Sequence, residues 1–463
     1  MDRNANENTK FIDFIKALFF LFIVIQALIF NNAFITFGLF ILLFFLEKKY
    51  LLSIILVSPI IETILIVVEG VTITKLLVIF YTFYFLYVIV KENAVIIDKK
   101  SWILLVYLFI VIFGLFNAIT FGPFLSLVDW DYNAIINENF ISYIPKILFS
   151  ILLYSYIKIK GYNYLRDNLR YLAVLISIAL IIIAVYFFIT ISNESSNWWN
   201  VARRFTFKGA DPNNFASILS SLSIFPLYLI LKSRTKREIV VGIISVALIY
   251  FSIFLTLSKG GTLTLIFSII LTFFVLSKKN VKRSFFVLSL GIIIIAILVN
   301  FEIIDFSPLY ERFFGEHIYD ISSFTTRRSD WWLAGIKAIK QRPILGFGGS
   351  FYAGMWINYT AYGEMFVMHS LYIEILVQYG ILGLIVFLWI IVRILKDFKQ
   401  LINKLNKGQL KDTIFLIPFI SLLTCLFAGL SLSWQWRDLL WFFISICLGV
   451  GSLTGENIKM SNI

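Results

Sequence analysis

Residues 171–191 read YLAVLISIALIIIAVYFFITI, twenty-one positions without a charge. A helix rises about 1.5 Å per residue, so such a run crosses the ~30 Å hydrocarbon core of a bilayer. Comparable apolar runs lie at approximately 14–30, 33–46, 51–68, 73–90, 102–119, 143–157, 214–231, 239–256, 261–276, 285–300, 369–392, 413–431 and 438–453. Some are short, so the reading is about 12–14 spans. Composition agrees: of 463 residues, 60% are hydrophobic and 14% charged. A soluble domain runs at about 45–50% apolar and about 25% charged, so a soluble fold and a disordered chain are both excluded. The fold class is all-α, a polytopic transmembrane helical protein. Without repeats or low-complexity tracts, residues 1–463 read as a single integral membrane domain.

The formal charge of +13 would suggest nucleic acid on a soluble protein; here the basic residues are first sorted by membrane side. With the amino terminus in the cytoplasm and strict alternation, 27 of the 40 Lys and Arg fall inside, in every inside loop. That satisfies the positive-inside rule and puts both termini in the cytoplasm. The first run has no small-residue cleavage site after it and reads as a retained span. Cys425 and Cys447 both fall in spans, so neither a disulfide framework nor a thiolate metal site is indicated.

The residues that break the charge rule draw attention. Thirteen basic residues remain outside, and seven of them are arginines: Arg203, Arg204, Arg312, Arg327, Arg328, Arg342 and Arg437. Inside, lysine suffices; outside, the guanidinium fork suits bidentate recognition of phosphate or carboxylate. For any single arginine, snorkelling or pairing with Asp211 or Asp330 is an equal alternative. The outside stretch 301–368 is far longer than a connector needs and forms a large extracytoplasmic loop, partly helical. Within it, Ser329–Lys340 has an apolar face of Trp332, Ile336 and Ile339, which suggests an amphipathic helix lying on the membrane surface.

Only two histidines exist, His317 and His369, both outside. His369 opens a span, where burial and nearby arginines should keep the imidazole neutral and able to accept a proton. The alternative is a polar residue at a helix entrance. Asp211-Pro212-Asn213 has a helix-start signature, with structure or anion binding as its open readings. Gly346-Phe347-Gly348-Gly349 lacks the strand–helix context of a nucleotide loop. Glu62 and Glu374 lie within spans, where ionisable groups are costly and often functional.

Four segments together resemble the O-antigen ligase and polymerase superfamily of bacterial membrane glycosyltransferases. Arg203-Arg204 followed by Gly209-Ala210-Asp211-Pro212-Asn213 is similar to that family's arginine–glycine–DPN segment. Leu257-Ser258-Lys259-Gly260-Gly261 resembles its "LSRG" turn, with lysine where the family has arginine. Arg327-Arg328, Trp331 or Trp332, and Arg342-Pro343-Ile344-Leu345-Gly346-Phe347-Gly348 resemble its loop core. His369-Ser370 through Gly380 and Gly383 resembles the helix that follows.

The resemblance implies transfer of a glycan from an undecaprenyl diphosphate carrier at the outer face of the cytoplasmic membrane, with no metal and no cofactor. Arg204, Arg328 and Lys259 would steady the departing diphosphate and His369 would be the base. Arg203, Arg327, Arg342, Asp211, Asn213, Trp331 and Trp332 would bind substrate, and the two indoles would offer faces to sugar or prenyl chain. The partners implied are lipid-linked donor and acceptor, the bilayer, a flippase and a chain-length regulator, with no nucleic acid. Polymerisation of repeat units for capsule, exopolysaccharide or O-antigen is the first reading. Ligation of finished glycan to a lipid, protein or wall acceptor is the second. A lipid-linked oligosaccharide flippase or other transporter is the alternative from a different class.

Overall fold

The computed structural model of the chain describes residues 19–25, 33–46, 51–62, 72–94, 98–121, 143–194, 211–233, 235–276, 310–311, 314–315, 319–348, 351–363, 365–433 and 437–460. Described residues are helical or in short connectors, with no strand among them. The elements are α1 (Ala33–Leu46), α2 (Leu51–Glu62), α3 (Ile73–Lys91), α4 (Trp102–Phe121), α5 (Ile144–Glu194), α6 (Pro212–Leu222), α7 (Ile224–Lys232) and α8 (Lys236–Leu255). There follow α9 (Lys259–Leu276), α10 (Ile321–Thr325), α11 (Arg328–Ile339), α12 (Phe351–Tyr362), α13 (Leu371–Asn406), α14 (Leu416–Ala428) and α15 (Asp438–Met460). Seven helices among the described residues are long and apolar enough to cross a bilayer, with shorter apolar helices beside them. The expected span at 285–300 lies outside the described residues.

The expected spans 143–157 and 171–191 lie on the two helices that make up α5, which join across a kink at Gly161, at φ 82 and ψ −177. Without a Cβ, glycine takes that conformation at little steric cost. The expected span at 214–231 is two helices, α6 and α7, that meet at Ser223. Pro226 has no N–H to give to the Leu222 carbonyl, which accounts for the interruption.

The chain divides into two compact units. One comprises Met1–Leu77 and Arg166–Leu309. Its centre is α6–α7, buried along nearly its whole length. α9 packs on α6 through small residues: a Cβ on Gly261 would lie 2.3 Å from the Ala216 Cβ. Ser220 Oγ reaches the Gly261 carbonyl at 3.3 Å and Ser223 Oγ lies 3.2 Å from Ser268 Oγ. In a bilayer, with no hydrophobic drive between helices, close approach of this kind and polar contacts hold spans together.

The other unit comprises Val78–Leu165 and Tyr310–Ile463. Its interior holds Tyr107, Tyr143, Tyr379 and Trp441, with the Tyr107 and Tyr143 hydroxyls 2.8 Å apart. Segments that alternation assigns to one membrane side meet here. Lys100 pairs with Asp397 at 2.8 Å, Lys158 with Asp98 at 2.9 Å, and Lys404 Nζ donates to the Thr454 carbonyl. At the Asp98 carboxyl, burial pushes the pKa up. Hydrogen bonds from Lys158, Tyr154 and the Lys100 and Ser101 amides outweigh that and hold it well below the usual carboxylate range.

Candidate functional site

The loop residues that sequence singled out are built onto a broken helix. α13 loses helical geometry at Gly380, with φ 64 and ψ −166. Such a break strands backbone groups on both sides of it. The segment Pro343–Gly348 supplies their partners. Ile381 N–H donates to the Pro343 carbonyl at 2.9 Å and Leu382 N–H to that of Ile344 at 3.3 Å; Phe347 N–H donates to the Val377 carbonyl at 2.8 Å and Gly348 N–H to that of Gln378 at 2.7 Å. Asn117 Nδ2 fixes the Gly346 carbonyl from α4 at 3.0 Å.

The glycines make this joint possible. Gly346 and Gly348 have φ of 68 and 71, and a Cβ on Gly348 would lie 2.1 Å from the Gly114 carbonyl oxygen. The glycine run is therefore a backbone joint. Arg342 sits at its start with its guanidinium 5.3 Å from the Phe347 ring.

His369 stands two residues before α13. Its φ is 47, in the left-handed region, and its ring centroid lies 5.1 Å from that of Trp331. Trp331 is only 7% exposed and also stacks on Phe366 at 4.9 Å. Trp331, expected from sequence to offer its face to substrate, packs against His369, and Trp332 next to it is half-buried. The indole N–H groups of Trp331, Trp332 and Trp356 are buried without a hydrogen-bond partner among the described residues.

α11 forms where the amphipathic helix was expected, and the face that it packs against the protein is separate from the apolar face assigned to the membrane surface. Trp331, Ala334 and Gly335 are buried, whereas Ile336 is exposed. Gly335 approaches α13 so closely that a Cβ there would lie 2.9 Å from Ile373 Cγ2. Arg327 and Arg328 diverge at the start of this helix. Arg327, at φ 64, lies 3.9 Å from Asp330 and 5.8 Å from the Tyr362 ring centroid. Arg328 begins α11 half-buried, one helical turn before Trp331.

The second cluster belongs to the other unit and is assembled at the starts of α6 and α9. Asp211 caps α6, accepting from the Asn213 and Asn214 amides at 2.7 and 3.1 Å. Asn213 is buried and its Oδ1 accepts from Ser258 Oγ at 2.8 Å. Ser258 Oγ in turn accepts from the Gly261 amide at 3.0 Å. These contacts deliver Lys259, half-buried, as the first residue of α9. A cation at a helix start opposes the helix dipole, and the pair favours an anion nearby. Ser258→Ala is expected to lower stability by about 1–3 kcal/mol, because two buried polar groups lose their shared partner. A thermal melt of purified protein checks this; an unchanged midpoint contradicts it.

Arg203, Arg204 and His317 lie outside the described residues, and Glu62 lies on α2 with its side chain likewise outside them. Sequence reasoning noted Glu374 for its depth in a span but not for its contacts, which connect it to the backbone beside His369. Among the described residues no group of three or more His, Cys, Asp or Glu is placed to hold a metal.

Helices of this length and apolarity, with a loop anchored in a broken span, define an all-α multi-pass membrane protein. Residues 244–388 match the family model described as O-antigen ligase, so this stretch carries a domain of the O-antigen ligase and polymerase superfamily, whose class of activity is glycan transfer at a membrane. The match takes in Lys259, Arg328, His369 and the Gly380 break; Arg203 to Asn213 precede it. No curated protein matches the chain.

Proposed function

We propose that the protein is a glycosyltransferase of the bacterial cytoplasmic membrane, its active site facing outside, that polymerises oligosaccharide repeat units carried on undecaprenyl diphosphate. The observation that carries this reading is His369: an imidazole held by a left-handed backbone on the Trp331 ring, at the mouth of a span inside the matched domain. In the proposed reaction the acceptor sugar hydroxyl attacks the anomeric carbon of the donor. Its proton passes to the His369 imidazole as the new glycosidic C–O bond forms. The bond to the diphosphate breaks on the opposite side, the anomeric centre inverts, and the diphosphate leaves on its lipid.

The leaving group gathers negative charge as it departs, and fixed cations stabilise that change. Arg328, half-buried as the first residue of α11, is assigned to that role. On the motif resemblance alone, Lys259 and Arg204 are assigned to phosphate oxygens as well. The reading needs no metal. Asp211, Asn213 and Arg342 are support residues in it.

Abundant Lys, Ile, Phe and Asn suit an AT-rich genome; in a low-GC Gram-positive host there is no lipopolysaccharide to ligate, and the product is then capsule or exopolysaccharide. Arg204→Ala and Arg328→Ala are expected to abolish glycan output at unchanged membrane levels. Lys259→Arg is expected to be tolerated, because charge is kept and a bidentate fork is gained. Glycan blots from cells with matched protein levels check both. Normal product from the two alanine variants overturns the diphosphate reading, and loss in the lysine variant overturns the assignment of Lys259.

A further inference from the structure

Glu374 is the least expected side chain in α13. It is fully buried in a span, where an acidic residue is costly unless the fold uses it. All three of its hydrogen bonds come from donors: the Met368 amide to Oε2 at 3.0 Å, Ser433 Oγ to Oε2 at 3.1 Å, and Gln378 Nε2 to Oε1 at 3.0 Å. The amide is the informative partner, since it immediately precedes His369.

α13 begins without the usual cap, because Ser370 makes no side-chain hydrogen bond to its first turn. Instead Glu374 reaches back past the helix start, as the glutamate of a capping box does, but to a residue further upstream. Leu371 N–H donates to the Gly429 carbonyl at 2.7 Å, so the chain is gripped on both sides of His369. A left-handed histidine is uncommon and persists where its neighbours over-determine it.

We infer that Glu374 is a positioning residue: by holding the Met368 amide it fixes the turn that presents the His369 imidazole on Trp331. The role requires an acceptor, not a charge. Gln378 Oε1 is buried without a hydrogen-bond partner among the described residues. In Glu374→Gln, the new amide keeps its oxygen toward Met368 and Ser433 and gives its N–H to Gln378 Oε1 once the Gln378 amide turns over. A proton-carrying carboxylate, as in a transporter, would lose its function in the same variant. As a reading of activity, the inference rests on His369 being the base.

The test uses full-length protein in a His317→Gln background, where His369 is the one remaining histidine. Its rate of modification by diethyl pyrocarbonate is measured by peptide mass spectrometry, beside glycan transfer. Glu374→Ala is expected to change the modification rate about threefold or more and to lower the turnover number about 100-fold, the scale of a displaced catalytic group, with little change in KM. Glu374→Gln is expected to match the parent in both. If the alanine variant does not accumulate, Glu374→Met replaces it, filling the volume while accepting no hydrogen bond. Unchanged modification in the alanine or methionine variant overturns the inference, as does loss of activity in the glutamine variant at matched levels. Changed modification with full activity leaves the positioning role standing and overturns His369 as the base.

Discussion

Replacing His369 with alanine is expected to slow glycan transfer by about 10²–10⁴-fold, the range that a positioned general base contributes. The residue is one of only two histidines, and its backbone is held at φ 47 with the ring on Trp331. Its truncation removes the proton acceptor while leaving the hydrogen bonds of Met368, Glu374 and Gly429 in place, so the protein should accumulate normally. Membrane vesicles given a lipid-linked glycan substrate report the rate, and immunoblots report the level. A rate within a few-fold of wild type, at equal level, contradicts the assignment.

Gly380→Ala is expected to be severely damaging to the fold. At φ 64 and ψ −166 the backbone is in a region that essentially only glycine adopts, and holding a residue with a Cβ there costs about 1–3 kcal/mol. Here the added atom would also lie 2.2 Å from the Ile344 carbonyl oxygen, and the joint that it disturbs contains four backbone hydrogen bonds. Each contributes about 0.5–1.5 kcal/mol net, so the sum is a large share of a stability of about 5–15 kcal/mol. Gly363 and Gly408 provide the comparison, since both have positive φ, 71 and 73, and nothing within 4 Å of an added Cβ. Alanine there should cost only the conformational part. Melting midpoints in detergent rank the three: a Gly380 variant as stable as the other two contradicts the joint.

The spans were legible because hydropathy alone decides them, and the helix at 328–339 because its periodicity is regular. Its protein-facing side was not read from sequence. Hydrophobicity picks out Trp332, Ile336 and Ile339, the face assigned to the membrane surface, whereas close packing on α13 uses Ala334 and Gly335, whose value is their small size. The Asp211 cap was readable from its own signature. Its link to Ser258 was not, because the two residues are far apart in the chain and meet only through tertiary packing. Gly380 was read only as part of the segment that resembles the family's helix. Its role depends on the Pro343–Gly348 backbone arriving to complete its hydrogen bonds, and no local pattern encodes that arrival.

The central claim is that His369 carries repeat-unit polymerisation on a lipid carrier. The size profile of carrier-linked and exported glycan in cells with wild type or His369→Ala, at matched membrane levels, tests it most directly. Single repeat units accumulating on the carrier in the variant are the expected result. Full-length chains stranded on the carrier would identify a ligase instead, and an unchanged profile would contradict the chemistry assigned to His369 altogether.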